Sequence, residues 1–458
     1  MIPTSLDVKL LLASVLLRRA SFGLTNQVLT LFLESAGISK LRIGIFMTLT
    51  LIGDTFISYF LTWFSDNIGR RTVMVIGCLL MGASGIVFSI FLNFWVLLAA
   101  AILGVISTSG DETGPFKTVE EASLSHLTPP KNRAPTFAIY GFLGTLGSAL
   151  GASTCGFLVD YWNLSRGWTL HDCYRGIFIG YSILAGLKLA IALVLSKNCE
   201  LLELIKHDEP TEILAPEIAD RVTKTLSQTP TIDEETNLLG GEVLQDVEAA
   251  DAPVAVKSSV FDAQTKLYLP RLLVVFMLDS FGYGFMPPAW IVYYFKTVFG
   301  VTASALGTLF FFTNLIDSGS SLASAILYYK LGPVRAILAA QLPSAIFFLS
   351  IAFCPSYLSA ATLYFLFCAT GSMDVVPRQV LLTSIIPKQD LIRVMGTVNI
   401  AKTFARCIGP VFTGKLAEHG YLYVGYLVNG ACLILADSIL GFSFLHLDSH
   451  VLALHSGN

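Results

Sequence analysis

Charge is scarce in this sequence. Only 13% of its 458 residues are Asp, Glu, Lys or Arg, about half the ~25% of an ordinary soluble chain. A soluble protein of this length could not cover its surface with so few. A basic surplus is missing too. The formal net charge is −3, so there is no positive field to hold nucleic acid. The eight cysteines are scattered, with no C-x-x-C pair and no metal-ligand spacing, and read as small apolar core residues. Nucleophile–base sets, metal motifs and phosphate-binding loops are not found, so neither an enzyme nor a bound metal or cofactor is expected. A cleavable leader is not expected either. Arg18 and Arg19 interrupt the first apolar run and no small-residue cleavage site follows them.

Apolar residues fill the space that charge leaves. They make up 54% of the chain, with 32 Phe, and mean hydropathy is +0.69. A bilayer core needs about 20 mostly apolar residues per helix. Six such runs precede residue 197, at 10–33, 43–64, 72–92, 95–116, 134–158 and 175–196. Six follow residue 266, at 268–296, 303–328, 334–353, 357–377, 395–415 and 421–446. The expectation is an all-α membrane protein with 12 transmembrane helices in two six-helix bundles, residues 1–196 and 267–447, and a tail at 448–458. Between the bundles, residues 197–266 hold 15 Asp/Glu against 6 Lys/Arg. That composition predicts an acidic, mostly disordered linker.

Lys and Arg in short loops set the orientation. With the N-terminus in the cytosol, the inner loops carry Arg70, Arg71, Lys117, Lys131, Arg133, Lys330 and Arg378, and the outer loops carry fewer. Both termini and the linker are then cytosolic. Asn163-Leu164-Ser165 is the sequon in an outer loop, which makes Asn163 a candidate glycosylation site.

The halves repeat. At an offset of 263 residues Gly44 falls on Gly307, Thr50 on Thr313, Asp54 on Asp317 and Gly69 on Gly332. Ser21-Phe22-Gly23 matches Ser280-Phe281-Gly282, and Pro129 matches Pro387, at nearby offsets. Repeated six-helix halves are how many secondary transporters are built, with the substrate site between them.

The loop after the second run reads Asp66-Asn67-Ile68-Gly69-Arg70-Arg71. It resembles the signature between helices 2 and 3 of the major facilitator superfamily. The second copy, Leu331-Gly332-Pro333, keeps only the glycine. In the fifth run Gly147, Gly151 and Gly156 resemble the glycine motif of drug/proton antiporters, with Ala152 where that motif has proline. The chain is thus identified as a eukaryotic, fungal-type member similar to multidrug or general-substrate carriers. The resemblance implies a cytoplasmic latch at Asp66, Gly69, Arg70 and Arg71. Asp111, Glu112, Glu120 and Arg133 are gate candidates beside it, or belong to a solvated helix end.

Charges inside spans are the sharper evidence. Asp54 and Asp317 lie at equal depth in spans 2 and 8, Asp279 is mid-span 7, Arg406 mid-span 11, Asp437 mid-span 12, and Arg18 and Arg19 lie in span 1. Each costs roughly 2.5–3.5 kcal/mol at a helix centre, so most must face a wet cavity or one another. Arg18 and Arg19 point about 100° apart on a helix, so only one can face the cavity centre. Asp54, Asp317 or Asp279 are the candidates for proton coupling, and Arg406 or Arg18 for an anionic substrate group or the acid's counter-ion. Tyr283, Trp290, Tyr293 and Tyr294 either line the cavity or form an interfacial belt.

The reading is a monomeric secondary active transporter that moves a small organic solute by alternating access, coupled to protons. A uniporter or nutrient importer is the alternative within the class. A transport-inactive sensor signalling through the linker is the alternative outside it. In the linker Glu234 stands ahead of Leu238-Leu239, which resembles an acidic dileucine signal read by sorting adaptors. It points to a vacuolar or lysosomal-type membrane, with the plasma membrane as the default.

Overall fold

The computed structural model describes residues 5–104, 106, 115–196, 199, 263–446 and 448. Among them are fifteen α-helices and no strand. In the N-terminal half these are α1 (Leu6–Ser35), α2 (Lys40–Ile68), α3 (Arg70–Ile90), α4 (Phe94–Leu103), α5 (Pro115–Leu127), α6 (Pro130–Asp160) and α7 (Leu170–Val194). The C-terminal half has α8 (Ala263–Phe285), α9 (Pro288–Phe299), α10 (Ala303–Leu331), α11 (Pro333–Ser350), α12 (Tyr357–Gly371), α13 (Val375–Ile385), α14 (Lys388–Glu418) and α15 (Val424–Phe444).

These helices make twelve traversals. Seven stretches are long and apolar enough to cross a membrane on those grounds alone. The others are α1, α2, α10, α14 and the α4–α5 pair. The four unbroken ones run 29 to 31 residues, about 45 Å at 1.5 Å per residue. The seventh and tenth traversals are each two helices in series. Pro287 and Pro288 separate α8 from α9, because proline cannot donate the backbone bond that would join them. A single 3-10 turn, Ser372–Asp374, separates α12 from α13.

Side-chain caps occur at both faces of the bundle, since Ser5 caps α1 and Asp448 accepts from the first N–H groups of α11 at the terminal face. On the face away from the N-terminus (the distal face), Asn93, Thr169, Thr302 and Ser356 cap α4, α7, α10 and α12 through their side chains, satisfying backbone N–H groups that have no intrahelical partner. On the terminal face, α6 and α14 begin after Pro129 and Pro387. There α3 and α11 begin after Gly69 and Gly332, at φ +97° and +81°, a backbone region L side chains rarely adopt. The glycine pair aligned by the internal repeat is thus one turn built twice.

Large apolar side chains such as Trp95, Leu358 and Phe442 point outward and are exposed, as lipid-facing positions should be. The interior packing has a specific shape. On the distal side one continuous apolar core draws on both halves, joining Phe32, Phe88 and Phe178 to Trp290, Phe295 and Tyr426. Toward the terminal face the core divides. Val8, Leu11, Leu124 and Tyr140 belong to one cluster in the N-terminal half. Leu272, Ile337, Leu440 and Phe444 belong to another in the C-terminal half.

Two spans differ from expectation. The fourth was expected to end at 116 and the tenth at 377, but α5 runs on to Leu127 and α13 to Ile385. The tenth is interrupted in mid-course, so its path is longer than its apolar run, and the charged stretch that looked like a loop is helix. Trp290, Tyr293 and Tyr294 are buried in the distal core and not in a belt.

Candidate functional site

The halves are held together on the distal side by close backbone approach and by hydrogen bonds. A Cβ at Gly44 would lie 2.3 Å from the carbonyl oxygen of Pro410, and one at Gly156 2.3 Å from that of Ala303, so α2–α14 and α6–α10 pack at the limit that glycine allows. Thr48 donates to the Cys407 carbonyl (2.7 Å), Thr30 to that of Ala289 (3.2 Å) and the Tyr293 hydroxyl to Glu34 (2.7 Å). The Asp160 carboxylate, at the end of α6, accepts from the backbone N–H groups of Ala303 (3.1 Å) and Ser304 (2.7 Å). One half therefore caps the first turn of a helix in the other, where the helix dipole favours an anion.

Beneath this seal lies a cavity of about 380 Å³ lined by both halves. The N-terminal half contributes Arg19, Asn26 and Gln27; the C-terminal half contributes Asp279, Asp317 and Tyr283. The cation and the two acids therefore come from opposite walls. Asp317 accepts a hydrogen bond from Ser372. Arg19 donates weakly to the Gly144 carbonyl (3.4 Å) and stacks over the Phe22 ring at 5.2 Å. Aromatic rings, Phe310 and Tyr364 among them, complete the wall.

Each half also holds a charge cluster toward the terminal face, buried in the N-terminal half and partly buried in the C-terminal half. In the N-terminal half Glu120 of α5 is fully buried. It takes two hydrogen bonds from Arg18 (2.9 and 3.2 Å), one from Ser14 (2.8 Å) and one from Tyr140 (3.1 Å), and pairs with Lys188 of α7 at 3.4 Å. The Lys188 ammonium also sits 3.4 Å from the centre of the Phe116 ring. In the C-terminal half Arg378 of α13 binds Asp279 of α8 (2.6 Å) and Asp374 (2.7 Å). Gln341 supports Asp374 at 2.5 Å, and Asp437 of α15 borders the same group. The offset that lays Pro129 on Pro387 lays Glu120 on Arg378. Both stand seven residues before the end of their helices, at Leu127 and Ile385. The clusters therefore occupy equivalent places with their signs exchanged: one acid between two cations, and one cation among three acids.

The candidates drawn from sequence are distributed as follows. Asp317 and Asp279 line the cavity, whereas Asp54 does not; it is buried at 2% exposure, on a stretch of α2 where Gly53 abuts Ile102 of α4. Arg19 reaches the cavity, and its neighbour Arg18 is bound in the Glu120 cluster. Arg406 is half-buried with its guanidinium 4.7 Å over the Tyr283 ring. Gly69 forms the turn between α2 and α3. Arg71 donates to the Ala192 and Leu193 carbonyls at the end of α7, where a cation meets unpaired C=O groups. Arg70 is half-buried beside it. Arg133 is exposed and donates to the Thr128 carbonyl (3.2 Å). Asn163 lies on the distal face and donates to the Trp168 carbonyl. Asp66 falls within α2, with its side chain outside the described residues. Asp111, Glu112, Glu234, Leu238 and Leu239 also lie outside them.

Three cluster members, Lys188, Arg378 and Asp374, were not singled out from sequence as site candidates. From sequence Arg378 reads as an inner-loop residue and Glu120 as a gate acid or part of a solvated helix end; both are inside the bundle. Lys188 interrupts an apolar run and was a readable signal. Asp374 sits at the helix break that sequence did not reveal.

Comparison with known proteins agrees with this geometry. A family model described as Major Facilitator Superfamily matches residues 11–232 and 272–457. The uncharacterized membrane protein YJR124C of Saccharomyces cerevisiae is 45% identical over 453 residues, covering 98% of this chain and 96% of that protein. Among solved structures, a D-xylose-proton symporter superposes with a TM-score of 0.67 at 16% identity, covering 95% of this chain and 97% of the other. A bacterial homolog of the human lysosomal transporter Spinster, inward-facing and unoccupied, gives 0.66 at 12% identity, with 95% of each chain covered. At such identities the last two speak for the fold alone.

Proposed function

The chain belongs to the Major Facilitator Superfamily, and on that premise we propose that it is a proton-coupled secondary transporter that carries a small organic solute by alternating access. The observation that carries this reading is the divided core. Packing is continuous across both halves on the distal side and splits in two toward the terminal face, around a cavity with charged groups on both walls. With the terminal face in the cytosol, as the Lys/Arg bias of the loops favours, this is the inward-facing member of a two-state cycle. Rocking of the halves would exchange the distal seal for one built from the terminal-face turns at Gly69 and Gly332.

Within that cycle Asp317 is the cavity carboxylate offered to a cationic solute group or a proton, and Arg19, in place of Arg18, the cation offered to an anionic group. Arg18 serves as counter-ion to Glu120. The solute has to match both walls, which favours an amphoteric molecule over a purely apolar one. The address proposed is a vacuolar or lysosomal-type membrane, on the strength of the Leu238-Leu239 pair in the linker.

The test begins with a ligand screen by thermal stabilisation of the purified protein. A stabilising ligand is then offered to proteoliposomes with and without a proton gradient. Accumulation that follows the gradient supports the proposal. Equilibration without accumulation means a uniporter, and no uptake of any stabilising ligand means a sensor.

A further inference from the structure

In the C-terminal cluster three carboxylates compete for one guanidinium, and the competition has a loser. Arg378 directs one amino group to Asp279 and the other to Asp374, and Gln341 adds a hydrogen bond to Asp374. Asp437 receives none of these. It is 3% exposed, and its Oδ2 atom is buried without a hydrogen bond. An ionised carboxylate with a buried oxygen that accepts no hydrogen bond is costly to hold, and more so in a membrane; Arg378 attracts Asp437, but Asp279 and Asp374 repel it. A bound proton removes the charge.

There is also room for that proton to arrive. Asp437 borders a void of about 10 Å³ shared with Asp279, Gln341 and Arg378, the volume that about one water occupies. Asp279 and Gln341 also line the central cavity. The void and the cavity therefore share the Asp279 and Gln341 side chains as a common wall. The surrounding elements present few other charges. Helix α8 offers Asp279, α13 with its preceding turn offers Asp374 and Arg378, and α11 offers the uncharged Gln341. Helix α14 offers Lys402, whose ammonium lies 6.0 Å over the Phe276 ring, and Arg406 over the Tyr283 ring. The N-terminal cluster has no acid corresponding to Asp437; from α7 it takes Lys188.

We propose that Asp437 is a proton-binding site, loaded from the central cavity past Asp279 and Gln341 through the one-water void. A hydronium in the cavity gives its proton to the Asp437 carboxylate and leaves as water; no other bond changes. The site deepens the proton-coupled reading above and rests on it for its purpose, but its existence is measurable without any solute.

The experiment is infrared difference spectroscopy of the reconstituted full chain across a pH jump, reading the carbonyl stretch of a protonated carboxyl. The wild type is expected to show this band, with an isotope shift in protein labelled with ¹³C-aspartate. Asp437→Asn is expected to lose it, and Asp437→Glu to keep it at a displaced frequency. A band unchanged in Asp437→Asn overturns the assignment. If that variant does not fold, a wild-type band insensitive to the aspartate label overturns it instead. Failure of proton-driven uptake with the Asp437 band intact would strike the coupled-transport reading and leave the site standing.

Discussion

Removing the negative charge of Glu120 while keeping its shape, by Glu120→Gln, should be among the most damaging single changes in the protein. Glu120 accepts two hydrogen bonds from Arg18, one each from Ser14 and Tyr140, and pairs with Lys188, all without solvent. Withdrawing one partner from a buried ion pair costs roughly 3–5 kcal/mol, because the other charge is left uncompensated. Here two cations are left. Lys188→Met should behave differently. Arg18 alone balances Glu120, so the lysine is surplus charge. Its loss forfeits the 3.4 Å ion pair with Glu120 and a cation–π contact of about 2 kcal/mol when desolvated, but removes a desolvation penalty of several kcal/mol. The net change should lie within about 1 kcal/mol of zero by that balance. Combining Lys188→Met with Glu120→Gln should recover part of the loss. The assay is thermal unfolding of the three variants, purified in one detergent. If Lys188→Met unfolds as early as Glu120→Gln, the surplus-charge reasoning is wrong.

Asp317→Asn should reduce proton-driven transport strongly while leaving membrane levels near normal, measured as uptake per copy; full uptake would remove Asp317 from the mechanism. Asp160→Asn weakens a charged cap worth about 1–2 kcal/mol, so Cys368, which lines the cavity, should become roughly 5–30 times more accessible from the distal side, with unaltered labelling as the contrary result. Gly69→Leu forces a side chain into φ +97°, at about 1–3 kcal/mol of strain, and should lower both stability and transport; a variant with normal transport would reduce the turn to a topology signal. Leu238→Ala with Leu239→Ala should send a tagged copy to the plasma membrane, and unchanged residence would cancel the sorting argument.

Much of the scaffold was legible in residues, because the bilayer makes span length and apolarity obligatory. The offset that pairs Gly69 with Gly332 proved to pair two turns of the same unusual backbone. It was legible that only one of Arg18 and Arg19 could face the cavity, but not which one. That depends on the rotation of α1 against α6, set where Gly147 and Gly151 meet Leu16 and Ala20. The same limit applies to Asp54 and Asp317: equal depth is a property of sequence, whereas facing is a property of packing. The burial of Glu120 and the place of Arg378 went unread for another reason. Their traversals outrun their apolar runs, so the charges looked like ends.

The sign exchange between the two clusters has an electrical consequence. One half carries surplus positive charge and the other surplus negative, at matching distances from the terminal face, since Glu120 and Arg378 each stand about 10 Å of helix from their ends. The vector joining them therefore lies along the membrane and not across it. A transmembrane voltage does about 2.3 kcal/mol of work per charge per 100 mV on anything displaced along its field, and almost none on a dipole perpendicular to it. Approach of the halves would be assisted by their mutual attraction, yet that attraction would be blind to membrane potential. Any voltage dependence of the cycle should then report the charge of the cargo and its proton, and not that of the frame that carries them.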